Sequence, residues 1–225
     1  MRSLELTYDN VTVLALAPEE LAPERVVYVL EPVKVLPMLE RFVSDGTAVV
    51  SVFGMDWNRD LTPWAAKGVL KKGGDFTGKA DGFMDLLLGT IISDTESALG
   101  IPAGSRVKRI LAGVSLAGMF AVYTSLKTNT FNAIGSVSGS FWYDNFTEYL
   151  KNEEPKADRY YLSIGEQEKN AKNLRLACSE IRTREVESFL RGKGKEVTFE
   201  LTEGGHFTDG PARVAKAISV LLFDI

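Results

Sequence analysis

The chain has 225 residues, 45% of them hydrophobic, and its 26 Lys and Arg against 30 Asp and Glu give a net charge of -4. This length is typical of one domain, so we expect residues 1–225 to form a single domain. The mild negative charge argues against nucleic acid as a partner, because phosphate binding needs clustered cations. One cysteine excludes an internal disulfide. Since the chain also has only one histidine, the sequence argues against a metal site built from cysteine and histidine ligands.

No stretch approaches the roughly 18 consecutive apolar residues of a membrane span, so the sequence predicts no membrane partner. The amino-terminal residues also lack a long apolar segment behind their first charge. We therefore expect a cytoplasmic protein.

Short apolar runs alternate with longer helical patterns along the chain. Residues 4–17 predict an antiparallel pair at a sheet edge. The predicted strands that follow are 24–32, 47–53, 105–114, 131–139, 158–165 and 195–204. The predicted helices are 36–44, 83–100, 115–129, 146–152, 170–191 and 211–225. This alternation predicts an α/β three-layer sandwich around a mostly parallel sheet, with functional groups at the carboxyl ends of its strands.

A serine follows one of these strands in the sequence GVSLA, residues 113–117. A serine at such a turn is either a helix cap or a nucleophile raised on a sharp strand-to-helix turn, as in the G-x-S-x-G motif. The sharp turn needs small residues two positions before and after the serine, and Gly113 meets that need. Ala117 departs from the simplest pattern, but alanine is the smallest residue with a Cβ, and Gly118 follows. If Ser115 is a nucleophile, the Leu116 N–H at the helix start is one oxyanion donor.

The chain's only histidine, His206, lies in LTEGGHFTDG, after the last predicted strand and before the last predicted helix. A catalytic chain order of serine, acid and histidine places the base in that loop. Gly204 and Gly205 give the loop freedom to position the ring. A loop histidine without a role is the alternative, and the joint presence of Ser115 argues against it.

The acid of such a triad is expected in the loop IGEQEKN, residues 164–170, after the predicted strand 158–165. Glu166 and Glu168 are both candidates to accept a hydrogen bond from His206 Nδ1 and to stabilise the imidazolium. Asp158 lies at the opposite end of the strand and is disfavoured. The residues alone leave the two glutamates open.

Five stretches resemble an esterase branch of the α/β-hydrolases that includes enterochelin-type and feruloyl esterases. They are NRDLTPW (58–64), AGVSLAGMFAVY (112–123), GSVSGSFWY (135–143), YLSIGEQEKN (161–170) and EGGHF (203–207). The resemblance runs from about residue 47 to the end, and its serine and histidine segments are the specific ones. It implies an α/β-hydrolase fold.

Carried over by position, the resemblance implies Ser115 as nucleophile and His206 as base. It favours Glu168 as the acid, because the family often places its acid in a G-x-x-D/E turn, although some relatives resemble a Ser–His dyad. It also places the second oxyanion donor in the loop after strand 47–53, at Gly54 or Met55.

Three further residues have two interpretations each. Trp142 and Phe141 follow the strand beside the serine turn, where they either wall a substrate pocket or pack in the core, and core packing is favoured for Phe141. Arg59 either meets an anionic or carbonyl group of a substrate or is an exposed surface arginine.

Two other features do not indicate sites. Residues 73–80 imitate a phosphate-binding loop, but Ala80 stands where a magnesium-binding Ser or Thr is needed and no apolar strand precedes it. We interpret this segment as a flexible surface loop that borders the site. Cys178 shares a predicted helix face with Leu174, Ala177 and Ile181, which predicts a buried cysteine without a catalytic role.

Together these patterns predict a serine hydrolase that cleaves a small-molecule carboxylic ester, or a thioester, through an acyl-enzyme. The mechanism needs neither a metal nor an organic cofactor. An acyltransferase and a non-catalytic binding protein on a hydrolase scaffold are the alternatives. The sequence does not specify the oligomeric state.

Overall fold

A computed structural model describes residues 1–30, 33–69 and 73–223 of the chain. Its strands are β1 (Arg2–Tyr8), β2 (Val11–Ala17), β3 (Arg25–Leu30), β4 (Thr47–Phe53), β5 (Ala65–Ala66), β6 (Phe76–Thr77), β7 (Lys108–Val114), β8 (Ala133–Val137), β9 (Arg159–Gly165) and β10 (Glu196–Thr202). Eight of them form one sheet in the order β1-β2-β4-β3-β7-β8-β9-β10, and β5 pairs with β6 separately.

The sequence patterns explain where each strand lies in the sheet. The interior strands β3, β4 and β9 are mostly apolar and are buried along nearly their whole length, as parallel strands covered by helices require. The edge strand β1 instead alternates half-buried and exposed residues. β1 and β2 pair antiparallel, as predicted, and β2 pairs antiparallel with β4, whereas every pair from β4 to β10 is parallel.

The helices cover both faces of the sheet. They are α1 (Leu36–Val43), α2 (Trp57–Asp60), α3 (Ala80–Leu86), α4 (Ile92–Ala98), α5 (Leu116–Lys127), α6 (Phe146–Leu150), α7 (Leu174–Ala177), α8 (Ser179–Gly192) and α9 (Gly210–Leu222). One apolar core contains side chains from α3, α4, α5, α6 and α8, and a second contains side chains from α1 and α9. The predicted three-layer α/β architecture is therefore confirmed.

The predicted helix 83–100 is one helical segment with an irregular centre. It begins at Ala80, passes through a π-helical turn over Leu87–Ile91, and ends at Ala98. Gly100 adopts φ +72°, the left-handed conformation that terminates helices without a steric penalty for glycine. The end of predicted strand 24–32 and the last two residues of predicted helix 211–225 lie outside the described residues.

The predicted helix 170–191 is interrupted, and the expected burial of Cys178 is wrong. A 3-10 turn covers Glu168–Asn170, and α7 starts only after Asn173, whose side chain accepts a hydrogen bond from the Arg175 amide. The break between α7 and α8 turns the expected apolar face outward, so that Leu174 is 83% exposed. Cys178 is half-buried, and its thiol donates to the Leu174 carbonyl.

Candidate active site

Three loops that follow parallel strands meet at one edge of the sheet. Ser115 follows β7, Glu168 follows β9, and His206 follows β10. Parallel strands end at the same edge, where α/β folds commonly place their sites. The topology thus brings together side chains from three distant parts of the chain.

Ser115 occupies a strained turn between β7 and α5. Its backbone angles are φ 58° and ψ -123°, a conformation that residues with a side chain rarely adopt. The turn is fixed on both sides, because the Ser115 amide donates to the Val137 carbonyl at 3.0 Å and its carbonyl accepts from the Ser140 amide at 3.0 Å. This strand–turn–helix geometry is that of a nucleophile elbow.

Close packing explains the small residues around this turn. A Cβ atom on Gly113 would lie 2.6 Å from the Cβ of Ala117, and one on Gly118 would lie 2.7 Å from Ser136 Oγ. The helix start therefore approaches β7 and β8 too closely for larger side chains. The sequence GVSLAG is thus explained by the elbow's geometry.

The side chains of Ser115, His206 and Glu168 form one hydrogen-bonded series. Ser115 Oγ lies 3.2 Å from His206 Nε2, and His206 Nδ1 lies 2.8 Å from Glu168 Oε2. Glu166 is exposed and takes no part in this series, and Asp158 lies exposed before the start of β9. Of the acids considered from the sequence, Glu168 is the one that contacts the histidine.

Glu168 is held in place and held ionised. Its Oε1 accepts from the Ser138 hydroxyl at 2.5 Å and from the Gly165 amide at 2.9 Å. Burial alone would raise the pKa of the Glu168 carboxyl, but the hydrogen bonds from His206, Ser138 and Gly165 outweigh burial and keep it below its usual value.

The loop that carries His206 is hydrogen-bonded to the loop that carries Glu168. The Gln167 amide donates to the Gly204 carbonyl at 3.0 Å. Gly204 has φ +84°, and a Cβ there would lie 2.5 Å from Thr208 Oγ1. A glycine is therefore required where the chain turns toward the histidine.

A cavity of about 720 Å³ opens beside these side chains. Its lining is mainly apolar, with a few uncharged polar groups. Among the described residues that line it, the charged or titratable side chains are Glu168 and His206. Phe207 stands at the lining with 95% of its surface exposed, and its ring meets that of His206 edge-on.

Of the three candidate substrate-binding residues, only Trp142 lines the cavity. Trp142 lines the cavity, between Phe76 and the guanidinium of Arg175. Phe141 is 1% exposed and packs in the core, as favoured. Arg59 is half-exposed and forms a bidentate ion pair with Asp60, outside the cavity lining.

Residues 73–80 border the cavity, as interpreted from the sequence. Gly73, Gly74 and Phe76 contribute to its lining, and Phe76 and Thr77 form β6. The helix α3 begins at Ala80, the position that lacks the hydroxyl of a phosphate-binding loop.

The structure does not bring Gly54 or Met55 into the cavity lining. Both follow β4, which is separated from the serine strand β7 by β3. The Gly54 carbonyl instead accepts from the Asn10 side chain, and Met55 is buried in the core. The α/β-hydrolase pattern draws its second oxyanion donor from the loop between the third strand and the helix that follows it. That strand is β3, and residues 31 and 32 after it lie outside the described residues.

Sequence reasoning missed two serines and an arginine around the candidate triad. Ser140 Oγ lies 3.2 Å from Ser115 Oγ, and Ser138 bridges Glu168 to Arg213. Both serines lie just after β8, in the second half of the segment GSVSGS (135–140), whose first three residues end that strand. The serines at the end of β8, which neighbours the strand β7 that precedes Ser115, were the available signal. Nothing in the sequence pointed to Arg213.

The described residues hold no metal cluster, either at the cavity or elsewhere. Across the ranges 1–30, 33–69 and 73–223, no group of three His, Cys, Asp or Glu side chains is arranged to hold a metal ion. Over the same ranges, none of the helices has both the length and the apolar character to cross a membrane.

The strand order and the elbow define this chain as an α/β-hydrolase fold. Its fold is shared with esterases of known structure: siderophore hydrolase EstB from Aspergillus nidulans superposes with a TM-score of 0.74 at 16% identity, covering 98% of this chain and 93% of that one. The enterobactin esterase FES from Shigella flexneri gives a TM-score of 0.73 at 15% identity, covering 99% of this chain and 60% of that one.

By sequence, the chain is similar to the uncharacterized protein YbbA of Bacillus subtilis, with 28% identity over 138 residues. That match covers 60% of this chain and 55% of YbbA. No protein-family model matches the chain.

Proposed function

We propose that the chain is a serine hydrolase that cleaves carboxylic esters through an acyl-enzyme formed on Ser115. The observation that carries this proposal is the hydrogen-bonded series from Ser115 through His206 to Glu168 at the wall of the cavity. The strained backbone at Ser115 supports it, because such strain is concentrated at functional sites.

In the first half-reaction, Ser115 Oγ attacks the acyl carbonyl while its proton passes to His206 Nε2. The first N–H groups of a helix have no partner within it, so we expect the Leu116 amide, the first of α5, to donate to the developing oxyanion. The carbon–oxygen bond to the alcohol then breaks, and His206 returns the proton to the departing oxygen. The acyl group remains on Ser115.

In the second half-reaction, His206 takes a proton from water as the water attacks the acyl carbonyl. The intermediate collapses, the acid leaves, and the proton returns to Ser115 Oγ. Glu168 stays ionised throughout and stabilises the imidazolium that forms in each step.

The apolar surface of the cavity favours a substrate with an apolar or aromatic group beside the scissile bond. Its described lining offers Trp57, Phe76, Trp142 and Phe207 as apolar surface, without a cation or an anion outside the triad. The neighbouring structures are named for siderophore and enterobactin hydrolysis. A siderophore ester therefore belongs in the substrate screen as an analogy.

Hydrolysis of p-nitrophenyl esters of graded acyl length tests the proposal. We expect turnover by the wild type and a loss of at least about 10³-fold in Ser115→Ala, with the circular dichroism spectrum unchanged. Retained turnover in Ser115→Ala would exclude the nucleophile assignment. Product analysis with added alcohol distinguishes hydrolysis from acyl transfer, because both pass through the same acyl-enzyme.

A further inference from the structure

A buried arginine lies behind the candidate triad, at the end opposite the cavity. Arg213, on α9, is 7% exposed. Its Nη2 donates to Ser138 Oγ at 2.7 Å, and Ser138 Oγ lies 2.5 Å from Glu168 Oε1. One continuous series of side chains thus runs from Arg213 to Ser115.

The donors and acceptors of this series have a fixed direction. A guanidinium can only donate, so Ser138 must accept from Arg213 and must donate its own proton to Glu168. The Gly165 amide also donates to Glu168 Oε1. An ionised carboxylate can only accept, so its Oε2 accepts a hydrogen bond from the protonated Nδ1 of His206. The neutral imidazole then presents an unprotonated Nε2 to Ser115, as a general base must.

The charges around Arg213 make Glu168 its counterion. Glu200 and Tyr161 are the other titratable groups near Arg213. Tyr161 donates to Glu200, and Lys216 forms an ion pair with Glu200, so that Glu200 already has a cation of its own.

The guanidinium is otherwise poorly satisfied. Its Nε and Nη1 atoms are buried and have no hydrogen-bond partner among the described residues. Burial lowers the pKa of Arg213, and the nearby Glu168 opposes that effect. A buried cation in such a site is costly unless an anion compensates it, which the bridge through Ser138 to Glu168 supplies.

We infer that Arg213, acting through Ser138, is a positioning residue that keeps Glu168 ionised and His206 in the tautomer that can take a proton from Ser115. This inference rests on the proposed function only for its catalytic meaning. The hydrogen-bond direction itself is a property of the protein without substrate.

Nitrogen-15 NMR of the imidazole tests the inference, and selective histidine labelling reports His206 alone because the chain has one histidine. In the wild type we expect the neutral ring to carry its proton on Nδ1. Removing the positive charge in Arg213→Met favours protonation of the His206–Glu168 pair. The midpoint of imidazole titration then moves to higher pH by about half a unit or more.

Three further variants make the result specific. Ser138→Gly removes the bridging hydroxyl at a position whose φ of 47° suits glycine, and we expect an upward movement of the midpoint there too. Arg213→Lys keeps the charge and is expected to move the midpoint less than Arg213→Met. Arg191→Met removes an exposed arginine on α8 and is expected to leave it unchanged.

Wild-type titration curves in Ser138→Gly and in a folded Arg213→Met would overturn the inference. If Arg213→Met does not fold, Ser138→Gly and Arg213→Lys decide. The acid limb of kcat/KM for p-nitrophenyl ester hydrolysis is expected to follow the NMR midpoint in each variant. A movement of the NMR midpoint in a protein without esterase activity would support the positioning role while excluding the proposed function.

Discussion

Ser115 Oγ and His206 Nε2 lie 3.2 Å apart although 91 residues separate them in the chain. The strands that carry them, β7 and β10, are separated in the sheet by β8 and β9. The histidine loop therefore has to cross the ends of two strands to reach the serine. Its hydrogen bond from Gln167 to Gly204 anchors that crossing on the acid loop.

The backbone conformation at Ser115 predicts that the turn stores strain, which a comparison of two variants measures. Ser115→Gly and Ser115→Ala both remove the hydroxyl, but only glycine adopts φ 58° without strain. We expect Ser115→Gly to be more stable than Ser115→Ala by about 1 kcal/mol, measured by urea denaturation. Equal stabilities would mean that the turn stores no strain.

Glu168→Gln is expected to reverse the histidine tautomer. The amide keeps an oxygen for Ser138 and Gly165, but its nitrogen must donate to His206 Nδ1. The imidazole proton then moves to Nε2, and the ring cannot accept a proton from Ser115. We expect a loss of about 10³- to 10⁴-fold in kcat for p-nitrophenyl acetate.

The tautomer itself is measured by nitrogen-15 NMR of the single histidine in Glu168→Gln. Glu166→Gln is the matched control, since Glu166 is exposed and outside the hydrogen-bonded series. An unchanged tautomer in Glu168→Gln, or an equal loss of activity in both variants, would argue against Glu168 as the orienting acid.

Two glycines predict opposite effects of the same substitution. Gly113→Ala places a Cβ 2.6 Å from that of Ala117, in a buried contact that cannot relax easily, and we expect a loss of about 2 kcal/mol. Gly82→Ala lies in α3, where a Cβ meets nothing within 4 Å, and we expect a gain of about 0.5 kcal/mol. Thermal unfolding of both variants measures the difference; a neutral Gly113→Ala would contradict the close packing of the elbow.

The adjacent residues Phe141 and Trp142 lie in different environments, the first in the core and the second at the cavity. Phe141 is buried, so Phe141→Ala is expected to reduce the free energy of unfolding by about 3–5 kcal/mol. Trp142 lines the cavity, so Trp142→Ala is expected to raise KM for aryl esters about tenfold with a smaller effect on stability. Steady-state kinetics with aryl and alkyl esters of the same acid measures this effect. An unchanged KM for the aryl ester in Trp142→Ala would exclude Trp142 from the substrate site.

The sequence predicts the architecture well because hydrophobic periodicity decides it. Runs such as RVVYVL and TAVVSVF, short and rich in β-branched residues, fit strands that are buried on both faces, and the helical patterns between strands favour parallel crossovers. The position of Ser115 after β7 and of His206 after β10 follows from that order. What fails is finer: the predicted helix 170–191 is interrupted before α7, where the Asn173 side chain accepts from the Arg175 amide, and before α8, where the Ser179 hydroxyl donates to the Leu176 carbonyl. Periodicity does not detect such local hydrogen bonds.

Side-chain contacts between distant segments are not encoded in any local pattern. In the sequence, Arg213 resembles any charged residue near a helix start. The packing of α9 on the sheet brings it to Ser138. The choice between Glu166 and Glu168 likewise depends on which carboxylate the acid loop turns inward. The expected donors Gly54 and Met55 depended on strand order, which sequence spacing does not give.

The central claim is that Ser115 is the nucleophile, and covalent labelling with a fluorophosphonate tests it most directly. We predict one adduct by intact mass, mapped by peptide sequencing to Ser115, absent in Ser115→Ala and formed far more slowly in His206→Ala. An adduct on the neighbouring Ser140, or no adduct in a protein that still hydrolyses p-nitrophenyl esters, would contradict the account.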